Sequence, residues 1–205
     1  MKYRLLIRYR RSVLVFGFAV VCLLSITVHG QSTEIAISTG GNFVSNGNLK
    51  MGTTWAVQGS IAHRFFRSSG LETGRFQVYG ELPIAVGKET GVAHIPSRPF
   101  QIDPPLSPRI ASIFVTPGIK MKFNVPLLSP YLTVGIGVGH FYTAGGPTEN
   151  RPVISYGTGL DFNLRTHFGL GGEVRDYNSP VPKIAIAGSG RQHNLFVTGG
   201  VVFRF

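Results

Sequence analysis

From about residue 32 to the end of the chain, apolar and polar side chains alternate with period two, and no helical period persists over three turns. The C-terminal stretch is the clearest case. His193, Leu195, Val197, Gly199, Val201, Phe203 and Phe205 share one face; Gln192, Asn194, Phe196, Thr198, Gly200, Val202 and Arg204 share the other. Seven further stretches read the same way, at 34–44, 53–66, 74–87, 109–124, 131–142, 152–163 and 167–178, with 192–205 as the eighth. Each covers the ~9–11 residues that a tilted strand needs to cross a bilayer.

The links between these stretches alternate in length. Those at 45–52, 88–108, 143–151 and 179–191 are long and rich in Gly and Pro, whereas those at 67–73, 125–130 and 164–166 are short. Short turns at one end and longer loops at the other define an up-and-down barrel with both termini at the short-turn end. The expected fold is all-β, an eight-stranded antiparallel up-and-down transmembrane β-barrel spanning residues 31–205.

Side-chain parity decides which solvent each face meets. One face carries Trp55, Val57, Ile61, Phe76, Val78, Leu82, Ile84, Val86, Ile113, Val115, Ile119, Met121, Leu132, Val134, Ile136, Val138, Ile154, Tyr156, Leu160 and Phe162. The other carries Gln58, Arg64, Gln77, Glu81, Lys120, Lys122, Asp161, Glu173 and Arg175. Apolar outside with charge inside is the pattern of a bilayer barrel; a soluble barrel reverses it. Phe65, Phe76, Phe123, Phe162, Phe168, Phe203 and Phe205 all fall on the outward parity beside short turns or the C-terminus. They predict an aromatic belt at one interface, with Phe43, Trp55, Tyr142 and Tyr156 as candidates for the other.

Composition agrees with this reading. Among 205 residues there are 27 Gly and 13 Pro, with 14% charged and 43% hydrophobic positions. Such a chain has too much glycine for a helical bundle and too much apolar surface for disorder. The single cysteine excludes a disulfide-stapled fold.

The N-terminus predicts export. Lys2, Arg4, Arg8, Arg10 and Arg11 precede an uncharged run from Ser12 to Val28 that is too short to span a bilayer as a helix and ends at Val28-His29-Gly30. Residues 1–30 are therefore expected to be a secretory signal peptide cleaved before Gln31. Ala19-Val20-Val21 ahead of Cys22 is a poor lipoprotein signal. Cleavage takes the formal charge from +11 to +6 and leaves no clustered basic patch, so nucleic acid is not an expected partner.

The ending Thr198-Gly199-Gly200-Val201-Val202-Phe203-Arg204-Phe205 resembles the C-terminal assembly signal of bacterial outer-membrane proteins. Thr198, Gly200, Phe203 and Phe205 match its polar, glycine, hydrophobic and terminal aromatic positions. The succession 115–123, 130–139, 157–162 and 172–177 is similar to the eight-stranded outer-membrane β-barrel domain family of OmpA/OmpX type, over residues 32–205. That resemblance implies residence in a bacterial outer membrane, recognition by the barrel-assembly machinery, and contact with outer-membrane lipid and lipopolysaccharide. The expected state is a monomer without cofactors. The family includes structural, adhesive, resistance and enzymatic members, so it does not fix an activity.

Candidate chemistry is sparse. Side chains just fill the interior of an eight-stranded barrel. Glu81, Asp161 and Glu173 face Lys120, Lys122 and Arg175 on the inward parity, which predicts a closed lumen charge network. Inward glycines at 135, 137, 139, 157, 159, 169 and 171 leave room for large residues such as Tyr79 or Arg175 to lie across it. The alternative is a narrow, small-solute or ion pore. A lipid-modifying enzyme is the third reading. It would need Ser, His and a carboxylate converging near the membrane surface, but His140, His193, Ser179 and Ser189 show no His-x-Ser spacing. His63, His94, His140, His167 and His193 form no close pair, and no metal site is expected. The 88–108 loop, with Ile95-Pro96, Arg98-Pro99-Phe100 and Pro104-Pro105, is either a lid over the mouth or a contact loop. Lys88, Arg98, Arg109, Arg151, Lys183 and Arg191 lie in or beside the outer loops, where anionic lipopolysaccharide would meet them. The expected function is non-enzymatic, structural or surface-interacting.

Overall fold

The structure is a computed structural model; it describes residues 33–46, 49–68, 75–90, 109–125, 127–143, 148–182 and 190–205. Residues 1–30, expected to be the signal peptide, and most of the 88–108 loop lie outside these. The segments are β1 (Thr33–Asn46), β2 (Leu49–Arg67), β3 (Arg75–Thr90), β4 (Arg109–Val115), β5 (Gly118–Asn124), β6 (Leu128–Thr143), β7 (Thr148–Arg165), β8 (Phe168–Pro180) and β9 (Arg191–Arg204). Each pairs antiparallel with its neighbours in the wall, and β4 and β5 together form one stave between β3 and β6. The ring closes where β9 returns to β1, from Glu34 opposite Arg204 to Ser45 opposite His193. Closure leaves no unpaired sheet edge in the wall, which a bilayer demands because it offers no water to satisfy backbone groups.

The fourth stave breaks at Thr116-Pro117 for a local reason. Proline has no N–H to donate to the ladder. The Thr116 N–H reaches the Pro83 carbonyl at 3.4 Å, and the Pro117 carbonyl accepts from the Ile136 N–H at 3.1 Å. The Val115 carbonyl lies so close to β6 that a Cβ on residue 137 would stand 1.9 Å from it, so only glycine fits there.

The upper staves run further than hydrophobic alternation predicts. β1 and β2 stay paired to Asn46 opposite Leu49, so the link expected over 45–52 shrinks to residues 47–48. β6 and β7 likewise pair up to Tyr142 opposite Thr148. Polar residues such as Ser45 and Lys50 carry a backbone ladder above the apolar zone as well as valines do within it. Bulges interrupt the register between Arg64 and Phe66 and between Asn163 and Arg165, both at the lower rim. The extra residues, Phe65 and Leu164, are turned outward at 62% and 54% exposure.

Outward parity is apolar over most of the wall. Trp55, Ile61, Leu132, Ile136, Ile154, Leu160 and Phe203 are all exposed, while most alternate positions are buried. Exposed rings at Phe65, Phe66, Phe76, Phe162, Phe203 and Phe205 crowd the lower rim. A continuous exposed apolar girdle of this extent is a surface for lipid, not water.

Candidate functional site

The lumen is built in three tiers. The lowest joins Glu34 of β1, Lys120 and Lys122 of β5, Asp161 of β7 and Arg204 of β9. Lys122 Nζ lies 2.6 Å from Glu34 Oε1 and 2.5 Å from Asp161 Oδ2. Lys120 Nζ stands 3.4 Å from Glu34 Oε2, and Arg204 bridges Glu34 at 3.2 Å and Asp161 at 3.4 Å. Lys120 also lies over the Tyr131 ring at 4.1 Å, which adds a cation–π contact.

The middle tier centres on Arg175. Its Nη2 donates to Glu81 Oε2 at 2.7 Å and its Nε to Glu173. Glu173 accepts in addition from Gln58 Nε2 at 3.1 Å and from the Tyr131 hydroxyl at 2.9 Å, and the Tyr177 hydroxyl donates to Gln58 Oε1 at 3.0 Å. The fork geometry of a guanidinium suits this bridging of two carboxylates.

Above it lies an aromatic tier. Phe114 stacks on Tyr177 with centroids 4.8 Å apart and meets Phe141 and Phe196 edge-on at 5.7 and 5.9 Å. Ile110, Ala56, Ala85 and Val153 complete this apolar plug. Ion pairs therefore fill the lumen below and hydrocarbon fills it above.

All six lumen residues named from the sequence point inward. Lys120 and Lys122 meet Glu34, Lys122 also meets Asp161, and Arg175 meets Glu81 and Glu173. Sequence reasoning missed Glu34 as the principal partner of Lys120, and missed the lumen role of Arg204. Both are legible once β9 is paired with β1, because Glu34 and Arg204 are register partners across the seam. With them the network holds four carboxylates against four cations.

Glycine makes room for the middle tier at residue 159. A Cβ there would stand 2.3 Å from Tyr131 Cζ and 2.4 Å from its hydroxyl. Gly159→Ala is expected to push Tyr131 off Glu173 and to cost about 1–3 kcal/mol in a urea unfolding titration. Outward-facing Gly172, where an added Cβ would find nothing within 4 Å, is the matched control. Its change to alanine is expected to stay within about 0.5 kcal/mol.

The assembly-signal positions occupy β9 and the residue after it. Thr198 faces inward, Phe203 and Phe205 face outward, and Phe205 exchanges backbone bonds with Thr33 at 2.9 and 3.1 Å. Of the histidines, His140 meets Asn150 at 2.6 Å, His63 meets Thr33 at 3.1 Å and His193 meets Asp176 at 2.6 Å. His94 lies outside the described residues, as do Ser189, Arg98 and Lys183.

An apolar-walled, antiparallel up-and-down ring of eight staves around a filled polar lumen defines a transmembrane β-barrel of the small outer-membrane type. Its fold is similar to that of Ail, the attachment invasion locus protein of Yersinia pestis, at TM-score 0.52 and 15% identity over 85% of this chain and 99% of that one. It is also similar to neisserial surface protein A, at TM-score 0.56 and 13% identity over 86% of this chain and 100% of that one. At such identities the likeness is one of fold. No protein-family model and no curated protein sequence matches the chain.

Proposed function

We propose that the chain is a non-enzymatic protein of a bacterial outer membrane, with a structural or surface-interaction role. The observation that carries this reading is the combination of a lipid-facing apolar wall with a lumen filled by ion pairs and closed by the Phe114–Tyr177–Phe196 cluster. A water-filled pore would leave its charged lining solvated, whereas Lys122, Asp161 and Arg175 here are each no more than 1% exposed. The enzymatic reading would need a serine hydroxyl on the His193–Asp176 pair, and among the described residues none is hydrogen-bonded to it. In this reading residues 1–30 are removed on export, the barrel-assembly machinery reads the last strand, and the mature protein is a monomer in contact with lipopolysaccharide.

Membrane fractionation and planar-bilayer recording test it together. The protein is expected in the outer-membrane fraction, with heat-modifiable migration on a gel and an N-terminus at or within a few residues of Gln31. It is expected to give no conductance steps and to leave the mass of lipid A unchanged in cells that express it. Steady unit conductance would replace the structural reading with the pore, and a new lipid A species would replace it with the enzyme.

A further inference from the structure

One polar cluster stands on the wrong face of the wall. On β8 the inward parity runs through Gly171, Glu173, Arg175, Tyr177 and Ser179, so Asp176 and Asn178 belong to the lipid-facing parity. Tyr156 of β7 and His193 of β9 share that face. Register brings them together, with Tyr156 opposite Asp176 and Asn178 opposite His193.

The cluster is organised around the Asp176 carboxylate. Its Oδ2 accepts from the Tyr156 hydroxyl at 2.7 Å and meets His193 Nδ1 at 2.6 Å. Arg191, exposed at the start of β9, is tied through its Nε to Asn178 Oδ1. Asp176 is 6% exposed, and its second oxygen, Oδ1, is shut away from the surface with no hydrogen-bond partner among the described residues, so the groups of the cluster that reach outward are Tyr156, His193 and Arg191. A carboxylate accepts hydrogen bonds and cannot donate them, so Asp176 holds the Tyr156 hydroxyl and the His193 ring in place at the outer face. Directly below lie exposed Val174, Leu195 and Val197, the ordinary lipid-facing wall.

We propose that this cluster binds the headgroup of an outer-leaflet phosphoglycolipid. A sugar hydroxyl or amide N–H of the headgroup donates to the hydroxyl oxygen of Tyr156, which is 47% exposed on the outer face. A phosphate is held by the Arg191 guanidinium, whose planar fork matches phosphate oxygens, with His193 beside it. The acyl chains run down over Val174, Leu195 and Val197. Polar residues above and apolar ones below, on one outward face near the upper ends of β8 and β9, match the shape of a lipid. The adjoining Arg191 disfavours a bound metal cation. The inference rests on the outer-membrane reading.

The test uses the refolded full barrel in detergent, with native mass spectrometry to count retained lipid. The probes are bis-phosphorylated lipid A, its dephosphorylated form, and phosphatidylglycerol. The wild-type barrel is expected to retain the bis-phosphorylated form about tenfold better than either other lipid. Asp176→Ala and Arg191→Ala are each expected to remove most of that preference, while Arg165→Ala, at the opposite rim, leaves it intact. Heat-modifiable migration confirms that each variant is folded. Arg191 is exposed, so its variant decides the matter if Asp176→Ala does not refold. Equal retention of phosphatidylglycerol, or undiminished preference in the Arg191 variant, overturns the proposal. Because binding is read on purified protein, its failure leaves the cellular location untouched. A wrong location would show in fractionation while binding persisted.

Discussion

Arg175→Ala is expected to lower the unfolding free energy by about 3–5 kcal/mol, read by urea titration with the fluorescence of Trp55 as reporter. Arg175 is 1% exposed and is the cation that meets both Glu81 and Glu173. Its removal strands two carboxylates whose side chains are 2% and 9% exposed. The cost is that of the charges left behind, which gives the prediction a second arm. A triple change of Arg175, Glu81 and Glu173 to uncharged residues of similar volume is expected to recover most of the loss. Arg175→Lys should fall between, since an ammonium is a point donor that serves two carboxylates less well than a guanidinium. A loss under about 1 kcal/mol for Arg175→Ala would mean that water reaches the tier and solvates the glutamates.

Deleting Phe205 is expected to cut the amount of protein in the outer membrane by about an order of magnitude, read by immunoblot of fractionated membranes. The residue closes the seam: its N–H donates to the Thr33 carbonyl and its carbonyl accepts from the Thr33 N–H. Its ring is 62% exposed at the rim, beside the tilted pair of Phe168 and Phe203 at 5.6 Å. Deletion thus removes an interfacial anchor, two closing hydrogen bonds and, on the proposed reading, the terminal aromatic that the assembly machinery reads. Phe196→Ala is the contrast. It hollows the aromatic plug from inside, and is expected to destabilise by about 3–5 kcal/mol a barrel that still inserts. Normal outer-membrane levels without Phe205 would refute the assembly role and leave the fold standing.

What the sequence made legible follows from what period two encodes. Alternation along a strand assigns each residue to a face, so the outward run Leu132, Val134, Ile136, Val138 and the inward position of Lys120, Lys122 and Arg175 could be read directly. Alternation does not encode where backbone pairing stops. The hydrophobic signal fades at the edge of the lipid zone, whereas the β1–β2 ladder continues to Asn46 and Leu49. Nor does it encode which side chains meet across the lumen. Glu34 pairs with Lys122 across 88 residues and with Arg204 across 170, and only the closed ring makes them adjacent. The outer-face cluster was hidden for the same reason. Tyr156, Asp176 and His193 are each ordinary in their own strand, and become a site when three registers are laid side by side.

The lowest tier also bears on how the barrel must form. Glu34 sits on the first strand and Arg204 on the last, with Lys122 and Asp161 between them. Only the whole chain brings Glu34, Lys122, Asp161 and Arg204 together, so a half-built sheet would carry charges that lack part of their partners into hydrocarbon. Intermediates that have lost only one stave are therefore penalised heavily, and the contacts that remedy this are among the most distant in the chain, which slows folding. Insertion and closure should consequently behave as a single all-or-none step, with no lingering open sheet in the membrane for proteases or neighbouring chains to capture.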